Sequence, residues 1–310
     1  MDPIVYIDRV TQKKEIETVF GASTLRFLYG NSFLSKTIGK ALLKLVSKNP
    51  AFSKLYGWWQ NRPWTKRSIA PFIQKFKIDS TEFALAPEAF TSFNDFFIRH
   101  LKKEARPIAP GSNVAVMPAD ARYLFYPHIG KADGFIVKGE KFQLASLLDD
   151  PKLAQGYEQG AMLIARLCPS DYHRFHFPVD CVPGRTQLIN GWLYSVNPIA
   201  LKKNIEIFSQ NKRTITQLAT REFGTVLFIE IGATNVGSIV QTYRPYHFYA
   251  KGEEKGYFSF GASSLIILFP PETIEFDPDL ILATEQNFET RCLLGQSLGK
   301  STQNFSEIGS

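Results

Sequence analysis

The chain has 310 residues, 44% hydrophobic and 21% charged, which is the composition of an ordinary soluble globular protein. That length allows one large domain or two small ones with a proper core. Three cysteines without CxxC spacing, Cys168, Cys181 and Cys292, argue against a disulfide framework or a zinc site and fit a reducing compartment.

The first residues, MDPIVYIDRVTQKKEIE, alternate charged and apolar side chains. A signal peptide needs a basic end followed by an apolar run, so this is not one. No stretch approaches the ~20 consecutive apolar residues of a membrane span. The net charge of +7 is unevenly placed. No acidic residue lies between Glu17 and Asp79, a segment that holds 11 Lys and Arg. Taking those 11 from the 36 basic residues leaves 25 against 29 acidic ones, a net of −4 for the rest.

Residues 24–60 read as helix. Leu34, Ile38, Leu42 and Leu45 form one face, and Lys36, Lys40, Lys44 and Lys48 form a row opposite it. Trp58, Trp59 and Trp64 follow among further cations. A basic amphipathic helix flanked by aromatics suggests an element that lies on a membrane surface. An ordinary surface helix is the competing reading, and the absence of carboxylates favours anionic lipid. Nucleic acid, the rival anionic partner, is disfavoured because no recognised nucleic-acid motif is present.

Ser92 is the expected N-cap of a short helix through FNDFFIRHLKK, ending before Arg106-Pro107. From residue 113 onward, short apolar runs are separated by Gly, Pro and Asn turns: AVMPAD, YLFYPHI, GFIVKG, AMLIARL, YHRFHFPV, GWLYSV, TVLFIEIGA, VGSIVQTY and LIILF. That spacing predicts a β-rich body. One helix is expected at KFQLASLLDD and a short one after Pro198.

Three places could carry chemistry. Asp120 closes Pro118-Ala119-Asp120, where a turn-capping role is the plainer reading. His173 and His176 stand three apart in DYHRFHFP, too isolated from other ligands for a convincing metal site. Ser263 and Ser264 follow Gly261-Ala262 at the mouth of the apolar LIILF run. A serine hydroxyl needs a base to take its proton, and a histidine oriented by a carboxylate is the usual solution. The order Asp120, His176, Ser263 offers such a set. No GxSxG elbow surrounds Ser263, which disfavours an α/β-hydrolase.

At these residues the sequence resembles the phosphatidylserine decarboxylases, a family of pyruvoyl-dependent enzymes. The resemblance runs from about Phe93 to Lys300 and is carried by FNDFFIRHLKKEARPI, the PAD of 118–120, VKGEKFQLASLL, DYHRFHFP, GWLYSVNP, KGEEKGYFSFGASS and LGQSLGK. It implies that the precursor cleaves itself between Ala262 and Ser263, with His176 as base and Asp120 orienting it. Ser263 would become the covalent pyruvoyl cofactor, which forms a Schiff base with phosphatidylserine and yields phosphatidylethanolamine. His173 is the weaker candidate, for proton transfer during decarboxylation. No metal is implied.

The expected fold is α+β. A basic helical, membrane-associating region, residues 1–92, joins a β-rich catalytic body, residues 93–310, self-cleaved into a long β chain and a short α chain. The expected partners are anionic phospholipid, the membrane surface and the two fragments for each other, with homo-oligomerisation open and no nucleic acid. The expected location is peripheral, on the cytoplasmic side of the cell membrane. Ala262, Ser264 and Ala121 depart from the family's common Gly, Thr and Gly, and none removes a group the chemistry requires. Three alternatives compete: a serine hydrolase using Asp120, His176 and Ser263, a non-catalytic membrane-bound relative, and a pyruvoyl enzyme acting on a soluble amino acid.

Overall fold

The computed structural model describes residues 3–18, 57–131, 143–201, 204, 206–233, 239–259, 261 and 263–303. The helix expected over 24–60 lies outside the described residues except for 57–60, which are helical. The GFIVKG run and Ala262 also lie outside them.

Sixteen strands are found among the described residues. They are β1 (Val5–Asp8), β2 (Lys13–Ile16), β3 (Val114–Val116), β4 (Ala121–Tyr126), β5 (Ala161–Leu167), β6 (Arg174–His176), β7 (Val182–Pro183) and β8 (Gln187–Ile189). The second half holds β9 (Arg213–Ala219), β10 (Thr225–Gly232), β11 (Ile239–Gln241), β12 (Glu254–Phe258), β13 (Ser263–Phe269), β14 (Ile274–Phe276), β15 (Glu289–Cys292) and β16 (Ser297–Ser301). The described helices are short, and the fold is mixed α and β with a sheet-rich body.

The main sheet runs β2-β1-β15-β4-β5-β13-β10-β9-β7, with β8 also paired to β9. Its centre, β5, β13 and β10, carries the apolar runs AMLIARL, SSLIILF and TVLFIEIG. Every residue of β5 and β13 is buried, the pattern of strands covered on both faces, which is why these runs do not alternate. β6, β12 and β11 form a second sheet, and β14, β16 and β3 a third.

The second sheet packs over the face of the main sheet to which Ser263 points. Phe228 and Gly232 of β10 lie opposite Ile267 and Ser263 of β13, so all four share one face. Phe175 of β6 sets its ring 5.9 Å from that of Phe228 on that face, tilted by 37°. Gly256 makes the approach possible, because a Cβ there would meet the Val240 carbonyl at 2.1 Å and the Phe175 ring at 2.8 Å.

A second apolar cluster, Ile69, Phe72, Phe83, Phe90, Phe93, Phe96 and Phe97, forms from residues on both sides of the expected boundary at 92/93. It is anchored at the end of the body that carries the histidines: Phe97 stacks on the His173 ring at 3.9 Å. Ser92 caps the helix Phe93–Phe97 as expected, its hydroxyl accepting from Asp95 N at 3.1 Å. That helix stops short of the FNDFFIRHLKK span. The carbonyl of Ile98 accepts from Arg174 Nε at 2.8 Å, and Leu101 pairs with Phe83, so the chain leaves the helix to dock.

Two further differences have local causes. GWLYSV is not a strand beyond one bridge from Trp192 to Asn211. The Asn211 side chain takes the place of a ladder, bonding both Tyr194 N and Tyr194 O. Residues 5–16, placed by sequence with the N-terminal region, form a hairpin of the main sheet, with β1 parallel to β15. The helices expected at KFQLASLLDD and after Pro198 are present as Leu144–Leu148 and Pro198–Leu201.

Candidate active site

Ser263 is the first residue of β13, held between Leu167 of β5 and Gly232 of β10. Gly232 sets no side chain beside the Ser263 hydroxyl, and a Cβ there would lie 3.5 Å from Leu193. Two residues earlier, Gly261 has φ +148°, a conformation that glycine adopts and other residues rarely do. Ser264 points to the opposite face, where its row continues through Arg166, Arg122 and Arg291. Both serine hydroxyls are buried and have no hydrogen-bond partner among the described residues.

The histidines stand on the neighbouring layer. His176 ends β6, and its backbone N–H donates to Pro118 O at 2.8 Å, which ties β6 to the segment that carries Asp120. Its ring stacks on Tyr172 with centroids 5.8 Å apart, and its Nδ1 has no partner. Burial pushes the His176 pKa down to about 4, against the opposing pull of Glu254 and Asp120. The imidazole is therefore neutral at pH 7 and available as a base.

His173 is fully buried, with Nε2 2.9 Å from the Cys168 carbonyl. A carbonyl only accepts, so Nε2 carries the hydrogen and Nδ1 is a bare lone pair. That Nδ1 has no partner. Burial pushes the His173 pKa down to about 3.

Asp120 is buried but does not hydrogen-bond His176 among the described contacts. Arg106 grips both its oxygens, with Nε at 2.9 and 3.1 Å and Nη2 at 2.7 Å, and Leu294 N donates at 2.9 Å. The same guanidinium holds Glu82 with two bonds of 2.9 Å. Asp120 therefore acts on His176 through its charge. Arg106 and Glu82 were not legible as site residues: ARPI is visible in the sequence, but its partners come from the fold.

Of nine buried side-chain atoms without a partner among the described residues, four belong to His173, His176, Ser263 and Ser264. An unmade buried hydrogen bond costs about 1–3 kcal/mol. Buried polar atoms left without partners call for a reason beyond packing. Burial pushes all three thiols up, which leaves serine as the nucleophile to consider. No group of three His, Cys, Asp or Glu that could hold a metal is found among the described residues.

The sequence profile of the family described as phosphatidylserine decarboxylase matches residues 93–300. The chain belongs to the phosphatidylserine decarboxylase family. A phosphatidylserine decarboxylase proenzyme of Chlamydia pneumoniae is 52% identical over 296 residues, 96% of this chain and 97% of the relative. One of Chlamydia caviae is 50% identical over 301 residues, covering 97% and 99% of the two chains. One of Chlamydia trachomatis serovar D is 46% identical over 297 residues, covering 96% and 97%. The family match takes in Asp120, His173, His176 and Ser263. The longer alignments with the decarboxylase proenzymes also cover most of the chain before Phe93.

Proposed function

We propose that this protein decarboxylates phosphatidylserine to phosphatidylethanolamine, with a pyruvoyl group made from its own Ser263 by cleavage after Ala262. The observation that carries the reading is the buried, unpartnered Ser263 hydroxyl at the head of a strand clamped on both sides. A residue consumed to make a prosthetic group must be held in place once the chain is cut, and β5 and β10 hold it.

In the proposed self-cleavage, His176 takes the Ser263 hydroxyl proton, and Oγ attacks the Ala262 carbonyl carbon. The Ala262–Ser263 C–N bond breaks as the Oγ ester forms, and the nitrogen takes up a proton. Loss of the Ser263 Cα proton expels the Ala262 carboxylate from Cβ and leaves dehydroalanine. Its imine tautomer takes up water and releases ammonia. Asp120 favours the protonated His176 through its negative charge. The Arg106 fork fixes that charge in place.

The pyruvoyl group supplies an electron sink for the pair left when carbon dioxide departs. The residues around it fit such a group: Gly232 sets no side chain against position 263, and the burial of β13 excludes water. His173 is suited to moving a proton at Nδ1. Burial disfavours its charged form, so a proton taken there is readily given up.

A hydrolase acting on an external ester is the weaker reading. The Ser263 side chain is wholly buried, out of reach of an external ester. The surface of residues 57–67 supports peripheral lipid binding: Trp58, Trp59 and Trp64 are exposed among Arg62, Lys66 and Arg67. No described helix is long and apolar enough to cross a membrane.

The intact mass under denaturing conditions tests the proposal. Two chains are expected, 1–262 and 263–310, the shorter lighter by one ammonia than a serine-initiated peptide. Ser263→Ala is expected to stay one chain and to release no carbon dioxide from phosphatidylserine, while Ser264→Ala still cleaves. A whole wild-type chain that decarboxylates would overturn the mechanism.

A further inference from the structure

The buried and half-buried guanidiniums among the described residues are almost all spoken for. Arg9, Arg106, Arg122, Arg166, Arg174 and Arg291 each hold a carboxylate. Arg213 holds none, but its nitrogens donate to the carbonyls of Ser146, Leu147, Ser209 and Asn211, which is how a purely structural guanidinium is satisfied here.

Arg99 fits neither pattern. Its residue is 4% exposed, and no carboxylate pairs with it among the described residues. Nη2 makes two long contacts, 3.3 Å each, to the carbonyls of Ser170 and Asp171. Nε and Nη1 have no hydrogen-bond partner among the described residues. The guanidinium rests against the rings of Phe83 and Phe96 at 4.9 and 5.0 Å. Burial pushes its pKa down to about 10, the sign of a cation short of compensation.

Its position ties it to the candidate site. Phe97, two residues before it, stacks on His173. The carbonyls it touches belong to the turn that leads into His173 and His176. Asp120 and Asp171 act on its charge, and its charge acts on His173. A buried cation with two free donors beside the catalytic histidines is a preformed receptor for an anionic oxygen.

We propose that Arg99 receives the phosphodiester of the lipid headgroup. The inference rests on the decarboxylase reading. The substrate headgroup offers two anions, a carboxylate and a phosphodiester. The carboxylate loses its charge as carbon dioxide leaves, so a guanidinium on it would hold the starting state more tightly than the transition state and slow the reaction. The phosphodiester keeps its charge throughout, and binding it positions the headgroup without that penalty. The planar fork also suits two phosphate oxygens.

The test uses the full, self-processed enzyme with short-chain phosphatidylserine as substrate and short-chain phosphatidylethanolamine as product inhibitor. Arg99→Gln is expected to give the same two fragments. It should raise KM for the substrate and the inhibition constant of the product together, each by about 10-fold or more, the loss of a charge-assisted hydrogen bond. A rise in KM with the product constant unchanged would place the carboxylate on Arg99 and overturn the proposal. Both constants unchanged in a processed variant would make Arg99 structural and overturn it too. Wild-type enzyme that fails to decarboxylate would instead sink the function it rests on.

Should Arg99→Gln not process, Arg99→Lys keeps the charge and is read by the same two constants. Wild-type values in that processed variant count against the proposal, because lysine cannot reproduce the fork. If neither variant processes, the wild-type crystal structure with short-chain phosphatidylethanolamine decides. A phosphodiester oxygen must lie within hydrogen-bond distance of Arg99 Nε or Nη1, and a phosphodiester bound elsewhere overturns the assignment.

Discussion

Two neutral, buried histidines give this protein a pH signature at the level of single residues. In the unfolded chain a histidine takes a proton near pH 6.5. In the native state His176 does so only at about 4. Between those values the unfolded state binds more protons, so stability rises with pH and falls as the solution is acidified. The shift corresponds to roughly 3 kcal/mol lost across the whole interval. Urea unfolding at pH 6.5 and 5.0, above the range where ordinary carboxylates titrate, is expected to show the loss, and His176→Gln to reduce it. An unchanged slope in the variant would mean that His176 is not held neutral. The identities of Asp120, His173, His176 and Ser263 were legible because short motifs carry them. The Arg106 grip on Asp120 was not, since residues 14 apart in sequence reveal nothing of which carboxylate a guanidinium will find. Nor does any local pattern disclose that Arg99 lacks a carboxylate, because that depends on where every other side chain settles.

Among the elements, the contact between the second sheet and β10 is the one on which the site depends. Lys255 of β12 is wholly buried, and its Nζ donates to Glu230 of β10 at 2.5 Å, Gln241 at 2.8 Å and Thr216 at 3.0 Å. Glu230 is also buried and accepts from Thr214 at 2.6 Å. Burial pushes the Lys255 pKa down, and Glu230 counters it. Removing one partner of a buried pair leaves the other uncompensated, at about 3–5 kcal/mol. Lys255→Met is expected to lower stability by that order in urea unfolding, and Lys255→Met with Glu230→Leu to recover much of it. A single variant as stable as wild type would show that the layers are held by Phe175 and Phe228 alone. The strands of the body were legible as apolar runs bounded by turns. The hairpin of β1 and β2 was not, because its partner β15 lies more than 280 residues later and only tertiary pairing makes those charged residues a strand. GWLYSV looked like a strand for the opposite reason: its composition suits one, but the Asn211 amide satisfies the backbone first.

At the scale of the whole molecule, the two proposed products are interleaved. β13 of the short fragment lies between β5 and β10, β15 between β4 and β1, and β16 joins β3 to β14. The cut at 262–263 therefore opens no seam. Both fragments are expected to elute together on native gel filtration and to part only in denaturant. Separation without denaturant would contradict this pairing. The exposed tryptophans of 57–64 and the carboxylate-free stretch before Asp79 lead to a second expectation. The protein should float with anionic vesicles at low salt and be released at high salt, as surface charge interactions are screened. Flotation unaffected by salt, or absent, would count against the charge-driven attachment.

The pairing of β1 with β15 has a further consequence. Through β15, β4 and β5 it ties the N-terminal strand to the central sheet, where Ser263 acquires its neighbours Leu167 and Gly232 only once β5, β13 and β10 are in register. Under the proposed chemistry, a half-assembled chain has no means of maturing. Synthesis of the prosthetic group thus serves as its own proofreading step, in which only a chain that has finished folding is licensed to become an enzyme.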